Sequence, residues 1–235
     1  MKRVILIFLL LACIPFYAVA QEEDSEVVID DKYREDQFYA GFSYSMLSKL
    51  PQGTRLRGLS GSLQVGFLRD FPLNKRRNIA LAGGVGLSIN RYGQNLFIGK
   101  GEDSEFIYRI LGKEGPVKYS SNRLGTYILE LPIQIRWRGS TAEKYNFWRV
   151  YAGVTAGYIY RSQSVFKQPD NKVVATNISD LQKLRWSASL SFGFNKINFF
   201  FKYDLNDLFK EDTYTTDGTL IELRPLQFGF IFYIL

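Results

Sequence analysis

Histidine is absent from this 235-residue chain, and cysteine occurs once, at Cys13. Without histidine there is no Ser-His-Asp type triad and no imidazole metal ligand, and a single cysteine closes no intrachain disulfide. Long apolar runs are missing as well. Beyond the first twenty residues no segment offers the roughly eighteen consecutive apolar side chains that a membrane-spanning helix requires. Any membrane span must therefore consist of strands, whose backbone groups are satisfied in lipid only by closing into a barrel.

What is present begins with a leader. Lys2 and Arg3 form a basic start, Val4 to Ala12 an apolar core, and Ala18-Val19-Ala20 an A-x-A cleavage site before Gln21, the pattern of a secretory signal peptide over residues 1–20. Leu10-Leu11-Ala12-Cys13 also reads as a lipoprotein signal that would make Cys13 a lipid-bearing terminus, although the site at Ala18 to Ala20 is the better placed. The formal net charge is +7, yet residues 22–36 hold eight acidic side chains against two basic ones, so the remainder is more basic than the whole. An acidic segment with few aromatics buries too little surface to order itself. Residues 21–36 are expected to be an acidic periplasmic tail, and 37–235 a single barrel domain.

Eight stretches alternate large apolar side chains with small or polar ones. In Leu184 to Phe194, Leu184, Trp186, Ala188, Leu190, Phe192 and Phe194 leave one face, and Arg185, Ser187, Ser189, Ser191 and Gly193 the other, because successive strand side chains point oppositely. The same pattern runs through Phe38–Met46, Leu59–Phe67, Asn78–Asn90, Tyr127–Trp137, Trp148–Arg161, Ile197–Leu205 and Leu226–Ile234. In the fifth of these eight, Trp148 through Tyr160 take the oily side and Arg149 through Arg161 the other.

Alternation alone also suits a soluble barrel with its oily face inside, around a ligand. Three features favour the membrane form. Connectors are alternately short (Phe71 to Arg77, Gly139 to Tyr145, Asn195-Lys196) and long, with Gly93 to Gly125 the longest. The second face is rich in Gly, Ser and Ala, which suits a narrow lumen. Tyr127 and Trp137, and likewise Trp148 and Tyr160, fall at opposite strand ends, as interfacial aromatic girdles do. The expected fold is an all-β, eight-stranded antiparallel transmembrane barrel of the outer membrane, with short periplasmic turns, long extracellular loops and both termini periplasmic.

A barrel of eight strands fills its interior with its own side chains. Glu130, Arg136, Arg149, Arg185, Lys202 and Asp204 are expected to share that lumen and to neutralise one another rather than line a permeation path, since unpaired buried charge is costly. No catalytic constellation stands out. Barrel hydrolases and acyltransferases ordinarily use a serine activated by histidine, and no substitute signature occurs, so a non-catalytic protein without cofactor is expected. Asp204, Asp207, Glu211 and Asp212 could offer oxygens to Ca²⁺, but the spacing is not that of an EF-hand, and a solvated loop is the better reading. Gly83-Gly84-Val85-Gly86 lies in mid-strand with no helix after it, so close backbone packing accounts for it better than a phosphate loop.

Functional surface is expected at the strand ends. Arg55 and Arg57 could meet lipopolysaccharide phosphates, and Lys75-Arg76-Arg77 phospholipid headgroups. The long loop carries Phe97, Ile98, Phe106, Tyr108 and Leu111, an apolar set that suggests partner docking or a loop folded down to plug the mouth. The closing segment, with Gln227, Gly229, Phe232, Ile234 and Leu235, resembles the β-signal read by the barrel-assembly machinery.

The runs Phe38-Tyr39-Ala40-Gly41-Phe42-Ser43-Tyr44-Ser45, Gly58 to Asn74 (GLSGSLQVGFLRDFPLN) and Leu87-Ser88-Ile89-Asn90-Arg91-Tyr92 resemble the PorT family of Bacteroidetes outer-membrane barrels. The resemblance implies an accessory role in the type IX secretion system, which exports proteins with C-terminal sorting domains and supplies adhesins for gliding motility. It brings no catalytic or ligand residues. Expected partners are outer-membrane lipid and lipopolysaccharide, the assembly machinery during insertion, and other secretion-system proteins, with no nucleic acid. A small-solute pore or a lipid-modifying enzyme are the competing classes.

Overall fold

The chain is described by a computed structural model for residues 36–101, 103–112, 117–139, 148–194 and 197–234. The expected signal peptide with Cys13, the expected acidic tail up to residue 35, the short connections around residues 140–147 and 195–196, and Leu235 lie outside the described residues. Eleven strands are formed: β1 (Gln37–Ser48), β2 (Gly61–Pro72), β3 (Ile79–Gly93), β4 (Leu96–Lys100), β5 (Phe106–Ile110), β6 (Ser121–Arg138), β7 (Trp148–Lys167), β8 (Lys172–Thr176), β9 (Leu184–Phe194), β10 (Ile197–Asp204) and β11 (Arg224–Ile234). Eight of them pair in the circular order β1-β2-β3-β6-β7-β9-β10-β11, all antiparallel, and β11 returns to β1 from Phe38↔Ile234 to Ser48↔Arg224. Closure leaves the barrel itself no free edge, the condition for a sheet to sit in lipid.

The oily side of every barrel strand faces outward. On β9, Leu184, Trp186, Leu190, Phe192 and Phe194 are exposed while Arg185, Ser187 and Ser191 are buried. Such a continuous apolar exterior is favourable only against a nonaqueous surround. From Tyr127 to Trp137 an extended strand rises about 33 Å, which at a tilt near 40° gives about 25 Å, the height of a membrane barrel's apolar band.

The strand ends joined from β2 to β3, β6 to β7 and β9 to β10 lie at one end of the barrel, and those joined by the four longer connections lie at the other. The β2–β3 turn is closed by Leu73 N–H to Ile79 O (2.9 Å) and Arg77 N–H to Asn74 O (3.0 Å), with Lys75, Arg76 and Arg77 on it. At the loop end the strands outrun the alternation seen in the sequence, because polarity inverts there. Inward positions pass from Ser45 to Leu47 on β1, Asn90 to Tyr92 on β3 and Thr126 to Leu124 on β6; outward ones pass from Ile89 to Arg91 and from Tyr127 to Arg123. Above the band the chain follows the rule of a protein in water, apolar inside and charged outside.

Three further features that the sequence reading did not place arise in this zone. The long connection after β3 is not structureless: β4 and β5 form an antiparallel hairpin, Leu96↔Ile110 to Lys100↔Phe106. β8 extends β7 beyond the barrel, Gln163↔Thr176 to Lys167↔Lys172. A register shift between Tyr127 and Ile128, opposite Tyr160, turns Tyr160 and Arg161 outward together, so Arg161 leaves the lumen face to which strict alternation assigns it.

Adjacent glycines in β3 make opposite demands. A Cβ on Gly84 would lie 1.9 Å from the Phe67 carbonyl oxygen, whereas one on Gly83 would meet nothing within 4 Å. Gly84→Val is expected to abolish the compact, heat-modifiable form on gels, and Gly83→Val to retain it; equal behaviour of the two variants would refute this wall geometry.

Candidate functional site in the lumen and loop cap

The lumen is built in layers by the inward residues. Toward the turn end, Arg136 is fully buried: its Nη1 donates to Asp70 Oδ1 (2.6 Å) and Gln37 Oε1 (3.1 Å), and its guanidinium lies over the rings of Tyr151 (4.5 Å) and Tyr233 (5.3 Å). Arg138 Nη2 reaches the other Asp70 oxygen at 3.0 Å, and Arg149, across from Arg138 in the β6–β7 register, is buried in the same layer. One carboxylate thus serves two guanidiniums in a dry environment, where charge-assisted bonds are strongest. Glycine makes room for the large groups: a Cβ on Gly66 or Gly86 would fall within 2.5 and 2.1 Å of the Tyr39 hydroxyl oxygen, so that side chain lies across both.

The middle layer centres on Lys202 Nζ and Glu130 Oε1 at 2.7 Å. Ser88 Oγ donates to the same Glu130 oxygen (2.7 Å), and Gln227 Nε2 donates to Asn90 Oδ1 (3.0 Å) just above. Space left beside this pair amounts to cavities of about 10 Å³ toward the loops and about 20 Å³ toward the turns. Each is water-sized. Nearest the loops, Arg185 Nη2 contacts Asp204 Oδ2 (2.6 Å) and the Asn206 carbonyl (2.8 Å), and Nη1 donates to the Asp207 carbonyl. A lumen cation therefore anchors the start of the β10–β11 connection.

Above it lies a second core. Leu47, Tyr92, Leu124 and Ile159 from the strand tops pack with Leu96, Ile98, Tyr108 and Ile110 of the hairpin and with Ile178, Leu181, Leu208, Phe209, Ile221 and Leu223 of the other loops. Polar ties hold the pieces in register. Asn95 Nδ2 donates to the carbonyls of Gly53 and Leu111 (both 3.0 Å) while its Oδ1 accepts from Arg55 N–H, and Asn122 Nδ2 donates to the Leu96 carbonyl (2.9 Å). Tyr108 donates its hydroxyl to Asp180 Oδ2 at 2.7 Å. Burial, and then that bond, pushes the Tyr108 phenol well above its ordinary value, so it remains a neutral donor.

Among the sequence candidates, Glu130, Arg136, Arg149, Arg185, Lys202 and Asp204 all lie buried in the lumen. Asp70 and Arg138, missing from that set, follow from carrying the alternation past Phe67 and Trp137. Of the two readings of the long loop, docking or folding down over the mouth, the packing is that of a folded-down loop: Ile98 and Tyr108 are 1% and 3% exposed, Phe106 packs on the same core, Phe97 meets the Phe166 ring edge-on at 5.0 Å, and Leu111 is half-buried. Folding down removes this apolar surface from water, which a protruding loop would leave exposed. The acidic cluster is dispersed, with Asp204 on Arg185 and Asp207 on Arg224 (2.9 Å), and among the described residues no group of metal-ligating side chains converges. Of the closing segment, Gln227 points into the lumen, Gly229 lies against Ser43, and Phe232 and Ile234 point outward.

Glu130→Gln leaves Lys202 buried without its counter-charge and is expected to cost roughly 3–5 kcal/mol in reversible unfolding from detergent or lipid, with Glu130→Gln/Lys202→Gln recovering much of it. Leu96→Ala is expected to cost about 2–5 kcal/mol of cap stability, read as trypsin cleavage within residues 94–120 while the barrel remains heat-modifiable. Cleavage no faster than in the parent protein would argue against a packed cap.

Comparison with known proteins gives a fold-level result. No curated protein matches the chain. Among solved structures, Ail, the attachment invasion locus protein of Yersinia pestis, in complex with the heparin analogue sucrose octasulfate, aligns at 13% identity over 85% of this chain and 99% of Ail, with a TM-score of 0.36. Another Ail structure from Yersinia pestis aligns at 13% identity over 84% and 97%, with a TM-score of 0.33. Residues 19–211 match the family described as outer membrane protein beta-barrel domain. With most of the chain matched, the closed eight-stranded wall and its oily exterior are those of an outer-membrane protein, and the chain belongs to the outer membrane protein beta-barrel domain family.

Proposed function

We propose that this barrel is a non-catalytic accessory or assembly component of the type IX protein secretion system, working through loop and tail contacts with partner proteins. The observation that carries the reading is the filled and covered lumen. Paired charges occupy it in layers, and an apolar core closes its loop end. A barrel with no evident passage works by what it touches from outside. The resemblance of residues 38–45, 58–74 and 87–92 to the PorT family supplies the system, and the asymmetry of short turns and long loops supplies the placing of the loops outside the cell and of both termini in the periplasm.

A small-solute pore is the second reading, favoured by the polar file from Gln227 through Asn90 and Ser88 to Glu130. Planar-bilayer recording separates the two: the purified barrel is expected to show no steady conductance, and reproducible channel openings would support the pore. Deletion of the gene is expected to leave proteins with C-terminal sorting domains undelivered to the cell surface, with loss of gliding in a gliding host. Normal delivery would overturn the secretion role.

A further inference from the structure

At the border between the apolar band and the loops, one flank of the barrel carries arginines that have no ion pair to any described residue. Arg91 on β3, Arg123 on β6 and Arg161 on β7 face outward on three neighbouring strands, just above Ile89, Tyr127 and Tyr160. Arg161 is there because of the bulge at Tyr160, and its guanidinium lies over the Tyr127 ring at 5.6 Å. Bulges commonly re-aim a side chain, and here the result is a cation at the rim instead of in the lumen. Arg57 adds a fourth guanidinium, stacked 4.3 Å over Tyr119, with its backbone N–H bonded to the carbonyl of Gly93, across from Arg123.

The opposite flank differs. Rim cations on β11 and beside β1 are matched by carboxylates: Arg224 by Asp207 at 2.9 Å, and Lys49 by Glu222 and Asp207 at 3.4 and 3.7 Å. The three strand arginines thus differ from the rim cations of that flank in having no carboxylate partner among the described residues.

Gly125 lies in the middle of the patch, paired with Arg91 on one side and Gln163 on the other. The fold does not require glycine there, since an added Cβ would meet only the Gln163 and Asn90 carbonyl oxygens at 3.6 and 3.7 Å, ordinary contact distances. Its effect is an open notch on the outer wall, with Arg123 above it, Arg91 beside it, and Arg161 below at the level of Tyr127 and Ile89, where the aromatic and aliphatic surface begins.

We infer that this notch binds the phosphorylated head of an outer-leaflet glycolipid, with Arg91, Arg123 and Arg161 holding its phosphates and the wall at Ile89, Leu87 and Leu129 receiving its acyl chains. Guanidinium forks match phosphate oxygens in pairs. Three of them spread over strands about 10 Å apart in total suit a head with several anionic groups and a sugar body better than a single phosphodiester. Continuity of the cationic rim with the apolar band selects an amphiphile over a soluble anion. The assignment rests on the proposed outward placing of the loops.

Lipid A added to the purified full barrel, followed by native mass spectrometry, tests it. Retention is expected to fall by about tenfold or more in the Arg91→Gln/Arg123→Gln/Arg161→Gln variant. Gly125→Leu, which keeps every charge and fills the notch, is expected to lose retention as well, while Lys75→Gln/Arg76→Gln at the turn end behaves as the parent. Unchanged retention in either of the first two variants, or equal retention of phosphatidylglycerol by the parent, would overturn the assignment. Placement is read separately. Asp170→Cys at an exposed loop tip is expected to react in intact cells with an impermeant maleimide, against the parent protein as blank; no labelling would overturn the outward loops and hence the outer-leaflet ligand, whatever the binding in vitro.

Discussion

The chain meets two solvents, and nearly every choice along its strands follows from that. Around the band the surround is hydrocarbon, so the backbone must satisfy itself, and the continuous ladder from β1 round to β11 and back does so. With large apolar side chains committed outward, the inside must be small or polar. Above the band the surround is water and the assignment reverses. Leu47, Tyr92 and Leu124 turn in, Arg91 and Arg123 turn out, with no break in the strands that carry them. The loop cap is the consequence: strand tops with apolar inner faces need a core, and four connections supply it.

Inside the barrel the narrow bore sets the chemistry. Glycine at 66 and 86 admits Tyr39, and the large charged groups are layered so that each carboxylate meets a cation: Asp70 with Arg136 and Arg138, Glu130 with Lys202, Asp204 with Arg185. Such pairs contribute less to stability than their short distances suggest, since desolvation offsets much of the attraction. Asp70 with Arg136 and Glu130 with Lys202 do tie together strands that are not neighbours in the wall, β2 to β6 and β6 to β10. Arg185 extends this outward by holding the backbone of Asn206 and Asp207, coupling lumen to cap.

Much of this was legible in the residues. Leu184 to Phe194 alternates so regularly that its two faces follow from period two alone, and the same holds for the other seven wall strands up to the bulge in β7. Glu130, Arg136, Arg149, Arg185, Lys202 and Asp204 fall on the inner face by the same parity, and Asp70 and Arg138 would have followed by continuing it. The rule failed at Arg161, where one extra residue at Tyr160 reverses the parity, and nothing in the local sequence marks that insertion. Above the band the residues left two readings of the long loop open, because the hairpin of β4 and β5 presents the same Phe, Ile and Tyr residues that a docking loop would.

The sequence by itself determined the class of fold, because a chain without a spanning helix and with eight oily alternating segments has only a closed barrel by which to cross a bilayer. It determined the absence of histidine chemistry in the same way. Which cation meets which carboxylate, whether the long loop stands out or folds down, and which arginines remain at the rim without a counter-charge among the described residues were decided by tertiary structure. These depend on register between strands far apart in the chain and on a single bulge, and contacts of that kind leave no periodic trace in one strand read alone.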